Sequence, residues 1–118
     1  MVITINQNEY EVHFGIKFIR ELDQTYFVSR ENIHFGAGLE TTVPLLLNGD
    51  TVILSDFLYL GTCAEKKRPA RADVDAYIED HPDLERLFDE VCSELKNGNA
   101  TRLKMRKVLH SLQNGEAQ

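Results

Sequence analysis

The amino-acid sequence predicts an α+β domain, mostly helical, with an N-terminal β-hairpin followed by five or six helices. Three observations carry this. Residues 1–14 alternate apolar and polar with a period of two, as strands with one buried face do. From Gly15 onward the apolar spacing changes to three and four. The strands come first and the helices after, so no βαβ alternation is present. The 118 residues are enough for one domain, and that size closes a core without disulfide or metal. A content of 42% hydrophobic and 27% charged residues excludes disorder of the whole chain. We place a single domain at 1–112 and a flexible tail at 113–118.

In the hairpin, Ile3 and Ile5 alternate with Thr4 and Asn6, and Tyr10, Val12 and Phe14 alternate with Glu11 and His13. The turn falls at Asn6-Gln7-Asn8, because Asn tolerates positive φ. A hairpin is marginal by itself in water, so its apolar face must rest on the helices. Ile19, Leu22 and Tyr26, with Phe18 beside them, define a first helix ending near Val28, and Ser29-Arg30-Glu31-Asn32 reads as a loop. A second helix spans 39–47, in which Pro44 predicts a kink or a first turn. Asn48-Gly49-Asp50 supplies a stop and a new N-cap for a third helix over 51–61, which is apolar nearly all round.

Residues 64–71 form a polar, basic connector containing Lys66-Lys67-Arg68. Val74, Tyr77 and Ile78 mark a short helix, and Asp80-His81-Pro82 ends it, with Pro82 suited to the first position of the next. Leu84, Leu87, Phe88, Val91 and Leu95 form a regular stripe over a long helix. Asn97-Gly98-Asn99 separates it from the last one, whose apolar face is Met105, Val108, Leu109 and Leu112.

The net charge is −6, which disfavours nucleic-acid binding and anionic membrane surfaces, since both need clustered Lys and Arg. The charge is unevenly placed. Residues 73–94 carry nine acids against Arg86 alone, whereas residues 96–107 carry five bases and no acid. Two such tracts can pair within one chain or head to tail with a second copy. Cys63 and Cys92 form no spaced framework and read as reduced thiols. The opening Met1-Val2-Ile3-Thr4-Ile5 has neither the basic nor the long apolar region of a signal peptide. The most apolar stretch, 51–60, is too short to span a bilayer.

Chemistry-bearing patterns are sparse. His13, His34, His81 and His110 lie at no metal-ligand spacing from one another or from a Cys. Gly36-Ala37-Gly38 lacks the third glycine of a dinucleotide fingerprint, because Thr41 stands there. Asp73 and Asp75 sit two apart and do not share a helix face. The sequence therefore predicts no enzyme, no metal and no cofactor. Its functional content lies in the apolar crowding of Leu45-Leu46-Leu47, Val52-Ile53-Leu54 and Phe57-Leu58-Tyr59-Leu60, which the fold wraps completely or leaves in part as a binding patch.

Several phrases resemble the tail assembly chaperones of siphophages and prophages of Gram-positive bacteria. They are Ile3-Thr4-Ile5-Asn6 with Glu9-Tyr10-Glu11-Val12, Phe14-Gly15-Ile16-Lys17-Phe18, Phe35-Gly36-Ala37-Gly38-Leu39-Glu40, Val43-Pro44-Leu45-Leu46, Gly61-Thr62, Lys66-Lys67-Arg68-Pro69, Leu87-Phe88-Asp89-Glu90-Val91 and Asn99-Ala100-Thr101. The resemblance runs from residue 1 to about residue 112 and rests on structural phrases rather than catalytic motifs. It implies a largely helical, multimer-forming protein of the host bacterial cytoplasm that coats the tape measure protein, keeps it soluble, recruits tail tube protein, and is absent from the mature virion. The alternative is a small phage-encoded adaptor or regulatory protein that binds a host protein. Covering a long apolar helix reversibly needs many copies of a small protein with an apolar contact surface. The residues expected to make that contact are Leu46, Leu47, Phe57 and Tyr59 in the apolar segment, and Arg102 and Arg106 in the last helix.

Overall fold

A computed structural model describes residues 1–116. Two short strands, β1 (Val2–Ile5) and β2 (Asn8–Glu11), pair antiparallel in the register Val2↔Glu11 to Ile5↔Asn8. Asn6 and Gln7 connect them with φ of 51° and 68°, the left-handed pair that a two-residue hairpin turn requires. Alternation then sends Ile3 and Ile5 into the core and leaves Val2 and Thr4 outside. The hairpin is tied down where it leaves β2: the His13 amide donates to the Gly61 carbonyl at 2.8 Å.

Helix α1 (Ile16–Thr25) follows and buries Phe18 and Leu22. It stops at Thr25, short of the expected Val28. A second hairpin then rises, made of β3 (Phe27–Arg30) and β4 (Ile33–Gly36) in the register Phe27↔Gly36 to Arg30↔Ile33. Residues 29–32, expected to be a loop, are strand ends joined by Glu31 and Asn32, whose φ values are 52° and 65°. They repeat the turn chemistry of the first hairpin.

Helix α2 (Gly38–Leu47) continues without a break past Pro44, which lies well beyond its first turn. Proline brings no N–H, so the Glu40 carbonyl loses its helical donor there. Gly49, at φ 83°, ends the helix in the left-handed conformation. Asp50 then caps α3 (Thr51–Gly61) by accepting the Ile53 amide at 3.0 Å. Helices α4 (Arg71–Glu79), α5 (Leu84–Asn97) and α6 (Arg102–Glu116) complete the chain. The N-cap of α5 is Asp83, which accepts from the Arg86 amide at 3.1 Å, so Pro82 precedes the cap instead of occupying the first helical position. Helix α6 continues through much of the expected tail at 113–118, and residues 117 and 118 lie outside the described residues.

Helix α2 is the hub, packing against α1, α3, α5 and α6, while α4 lies on α3 and β1. An aromatic cluster holds the centre: Phe18 sits edge-on to Phe14 and Phe57, with ring centroids 4.8 Å and 5.3 Å away. Buried hydroxyls are satisfied, with Thr42, Thr62 and Thr101 donating to the carbonyls of Gly38, Tyr59 and Leu95 at 2.6 Å each.

Candidate protein-contact surface

The six residues expected to touch a partner occupy different environments. Leu46 is 1% exposed and Phe57 0% exposed, and both belong to the core. Helix α3 is apolar on most sides because α2, α1 and α4 surround it, so Phe57 offers no surface to a partner in this fold. Leu46 points from α2 into the same core, whereas Leu45 and Leu47 on either side are each 42% exposed. The apolar patch left by residues 45–60 therefore reduces to Leu45, Leu47 and the exposed Val52.

Tyr59 has an intramolecular task. The guanidinium of Arg68 lies 4.3 Å from its ring centroid and that of Arg71 lies 4.2 Å away. Arg68 also donates to the Tyr59 carbonyl at 2.9 Å and pairs with Glu21 at 3.2 Å, which fastens the basic connector to α3 and α1. Arg71 pairs with Asp56 at 2.9 Å, and Asp56 accepts the Tyr26 hydroxyl at 2.8 Å. Burial first, and the hydrogen bond to Asp56 second, push the Tyr26 phenol up to about 12.

The second hairpin is an arm with all eight strand residues exposed. Val28 faces Phe35 and Arg30 faces Ile33, so strand alternation puts these four on one side. On the other side, Phe27 stacks on His34 with centroids 4.8 Å apart. Phe27, Val28, Ile33 and Phe35 are 46–54% exposed, a concentration of large apolar side chains on a two-stranded sheet with free edges. Sequence reasoning missed this surface. The available signal was the pair of short apolar runs on either side of Glu31-Asn32.

Helix α6 carries its bases on two sides. Arg102 and Arg106, four apart, share one side, while Lys104 and Lys107, three apart, share another. The second side borders an open groove of about 390 Å³ against α2, with Pro44, Val108 and Leu112 among its lining residues. Lys104 reaches across to Glu40 at 2.9 Å. Among the described residues, Arg102, Arg106 and Lys107 have no carboxylate within 4.0 Å, and no ion pair joins the acids of 73–94 to the bases of 96–107.

The histidines are placed locally. His81 accepts the Asp83 amide through Nδ1 at 3.0 Å and packs edge-on to Tyr77. His34 shares an open groove with Asp23, whose carboxylate is engaged by the Gly38 amide. Cys63 and Cys92 are free thiols, and burial raises the pKa of each. Among the described residues, no three His, Cys, Asp or Glu side chains are grouped to hold a metal, and no helix is long and apolar enough to cross a membrane.

Comparison with known proteins adds the family. The model for the phage tail assembly chaperone protein, TAC, matches residues 2–110. No curated protein and no solved structure matches the chain. The match takes in both hairpins, α1 to α5 and most of α6, and the chain belongs to the phage tail assembly chaperone family.

Proposed function

We propose that this tail assembly chaperone binds the phage tape measure protein in the host cytoplasm, keeps it soluble before the tail forms, and helps to recruit tail tube subunits without entering the mature virion. It acts by contact and without catalysis. The observation that carries this reading is the apolar surface of the β3–β4 arm, where four large side chains stand about half exposed on a chain of this family. A tape measure protein presents long apolar helical faces before assembly, and a small protein that covers them needs apolar surface kept outside its own core. The cover must be released when tube subunits arrive, which favours many modest contacts over one extensive dry interface.

Self-association belongs to the same reading. Among the described residues, no ion pair joins the acidic tract of 73–94 to the outward bases Arg102 and Arg106, so neighbouring copies on one partner can match them head to tail. The test is co-expression with the tape measure protein encoded nearby, followed by size-exclusion chromatography with light scattering. A tape measure protein that is soluble only in a complex with many copies of this chain supports the proposal. A tape measure protein that precipitates while this chain elutes separately refutes it.

A further inference from the structure

We propose that the α2–α6 groove is a docking site for an amphipathic helix whose apolar stripe is bordered by Asp and Glu. The floor is apolar, formed by Pro44, Val108 and Leu112, and the rim on the α6 side is basic, formed by Lys104 and Lys107. Lys107 has no carboxylate within 4.0 Å among the described residues, and Lys104 is held by Glu40 on the opposite wall. On α2, Leu47 follows Pro44 by three residues on the same helical stripe and is 42% exposed, which lengthens the apolar surface beyond the groove. An apolar cleft edged by the unpaired Lys107 ammonium, with Lys104 already paired to Glu40, suits a helix that brings apolar anchors with a carboxylate beside them.

The same chemistry argues against a second copy as the occupant. The acidic helices α4 and α5 have already turned their apolar residues inward: Val74, Ile78, Leu87, Val91 and Leu95 are all buried. A second copy would bring carboxylates with no apolar stripe. The arm of a second copy would bring an apolar face, but with Arg30 on that face against a lysine rim. The occupant is therefore a helix from a different protein. The inference deepens the chaperone reading and rests on it only for the source of that helix, the tape measure protein.

The test uses two synthetic helical peptides with Leu at i, i+3, i+4 and i+7, one flanked by Glu and one by Lys, and follows binding by fluorescence anisotropy. The wild-type chain is expected to prefer the Glu-flanked peptide. The double variant Lys107→Glu/Ser111→Glu changes two exposed positions of the groove, so the fold should survive. It is expected to lose the Glu-flanked peptide by about tenfold and to gain the Lys-flanked one. Lys66→Glu/Lys67→Glu, two exposed positions of the connector that do not line the groove, is expected to leave the preference for the Glu-flanked peptide in place. Equal binding of the two peptides, no binding of either, or an unchanged preference in the double variant overturns the proposal. Co-expression separates this failure from that of the parent reading. If the wild type and the double variant both keep the tape measure protein soluble, the groove is not its site although the chain is its chaperone. If the wild type fails to do so, the chaperone reading falls, and the peptide experiment still decides whether the groove takes an acidic helix.

Discussion

The Asp23 carboxylate of α1 caps α2 from outside that helix, accepting the Gly38 amide at 2.8 Å. The local N-cap residue, Ala37, has no side chain able to do so. A helix that begins on Ala-Gly thus borrows its cap from the preceding helix, and the bond also fixes the point where the arm rejoins the body. A Cβ at Gly38 would lie 2.7 Å from Leu22 Cγ, so the close approach needs glycine. Asp23→Ala is expected to cost about 1 kcal/mol in urea unfolding and to raise hydrogen exchange at the first turn of α2. Asp23→Asn, which keeps an acceptor oxygen, should recover most of the loss. Equal stability of Asp23→Ala and wild type would show that the cap is idle.

Core and contact residues in the α2–α3 segment separate by what truncation does. Leu46→Ala should cost about 2–5 kcal/mol and Phe57→Ala about 3–5 kcal/mol, because each leaves a cavity in a closed core. Leu47→Ser, at a half-exposed position, should change stability by no more than about 0.5 kcal/mol. In the co-expression assay it should still reduce the amount of soluble complex. Loss of complex from Leu46→Ala alone, in a variant that remains folded, would reverse the assignment of these two neighbours.

Much of the fold could be read in the sequence because its signals were local. The period-two run before Gly15, the Asp50 cap and the stripe from Leu84 to Leu95 each declare an element within a few residues. The β3–β4 arm was not legible for a physical reason. Both of its faces are exposed, so no apolar–polar alternation marks a buried side, and Tyr26 at the end of α1 continues a helical spacing that the chain abandons at Thr25. Helix α3 defeated residue-level reading differently. A helix apolar on most sides does not say which side faces a neighbour, so the sequence points to Phe57 as a contact although Phe57 is buried and Val52 is the exposed residue. The α2–α6 groove joins Glu40 and Pro44 to residues 104–112, a juxtaposition that only the tertiary packing creates.

Gly61 tests how tightly the first hairpin sits on α3. Its carbonyl accepts the His13 amide, and a Cβ there would lie 2.5 Å from Val12 Cγ1 and 3.2 Å from Phe14 Cε1. Val12 is buried and cannot swing into solvent. Gly61→Ala should therefore destabilise by about 1–3 kcal/mol through overpacking. Adding Val12→Ala removes the obstructing methyl, so the two costs should fall short of their sum in a double-mutant cycle. Strict additivity would mean that the hairpin shifts to accommodate the methyl.

The Tyr26–Asp56 bond sets an alkaline limit on stability. A phenol ordinarily loses its proton near pH 10, whereas burial, reinforced by the bond to Asp56, raises Tyr26 to about 12 in the folded chain. Between these values the unfolded chain binds fewer protons than the folded one, so stability falls as pH rises. The contribution is complete below about pH 10 and is lost as pH climbs to about 12. Ultraviolet absorbance of phenolate should show a late-titrating component near pH 12 that Tyr26→Phe removes. That variant should cost about 1 kcal/mol at neutral pH, because a half-buried hydrogen bond is lost while Arg71 still holds Asp56. Its stability should also lose the part of the alkaline slope that belongs to Tyr26. An unchanged late titration in Tyr26→Phe would assign it to a different tyrosine, with Tyr77, also raised by burial, the next to replace.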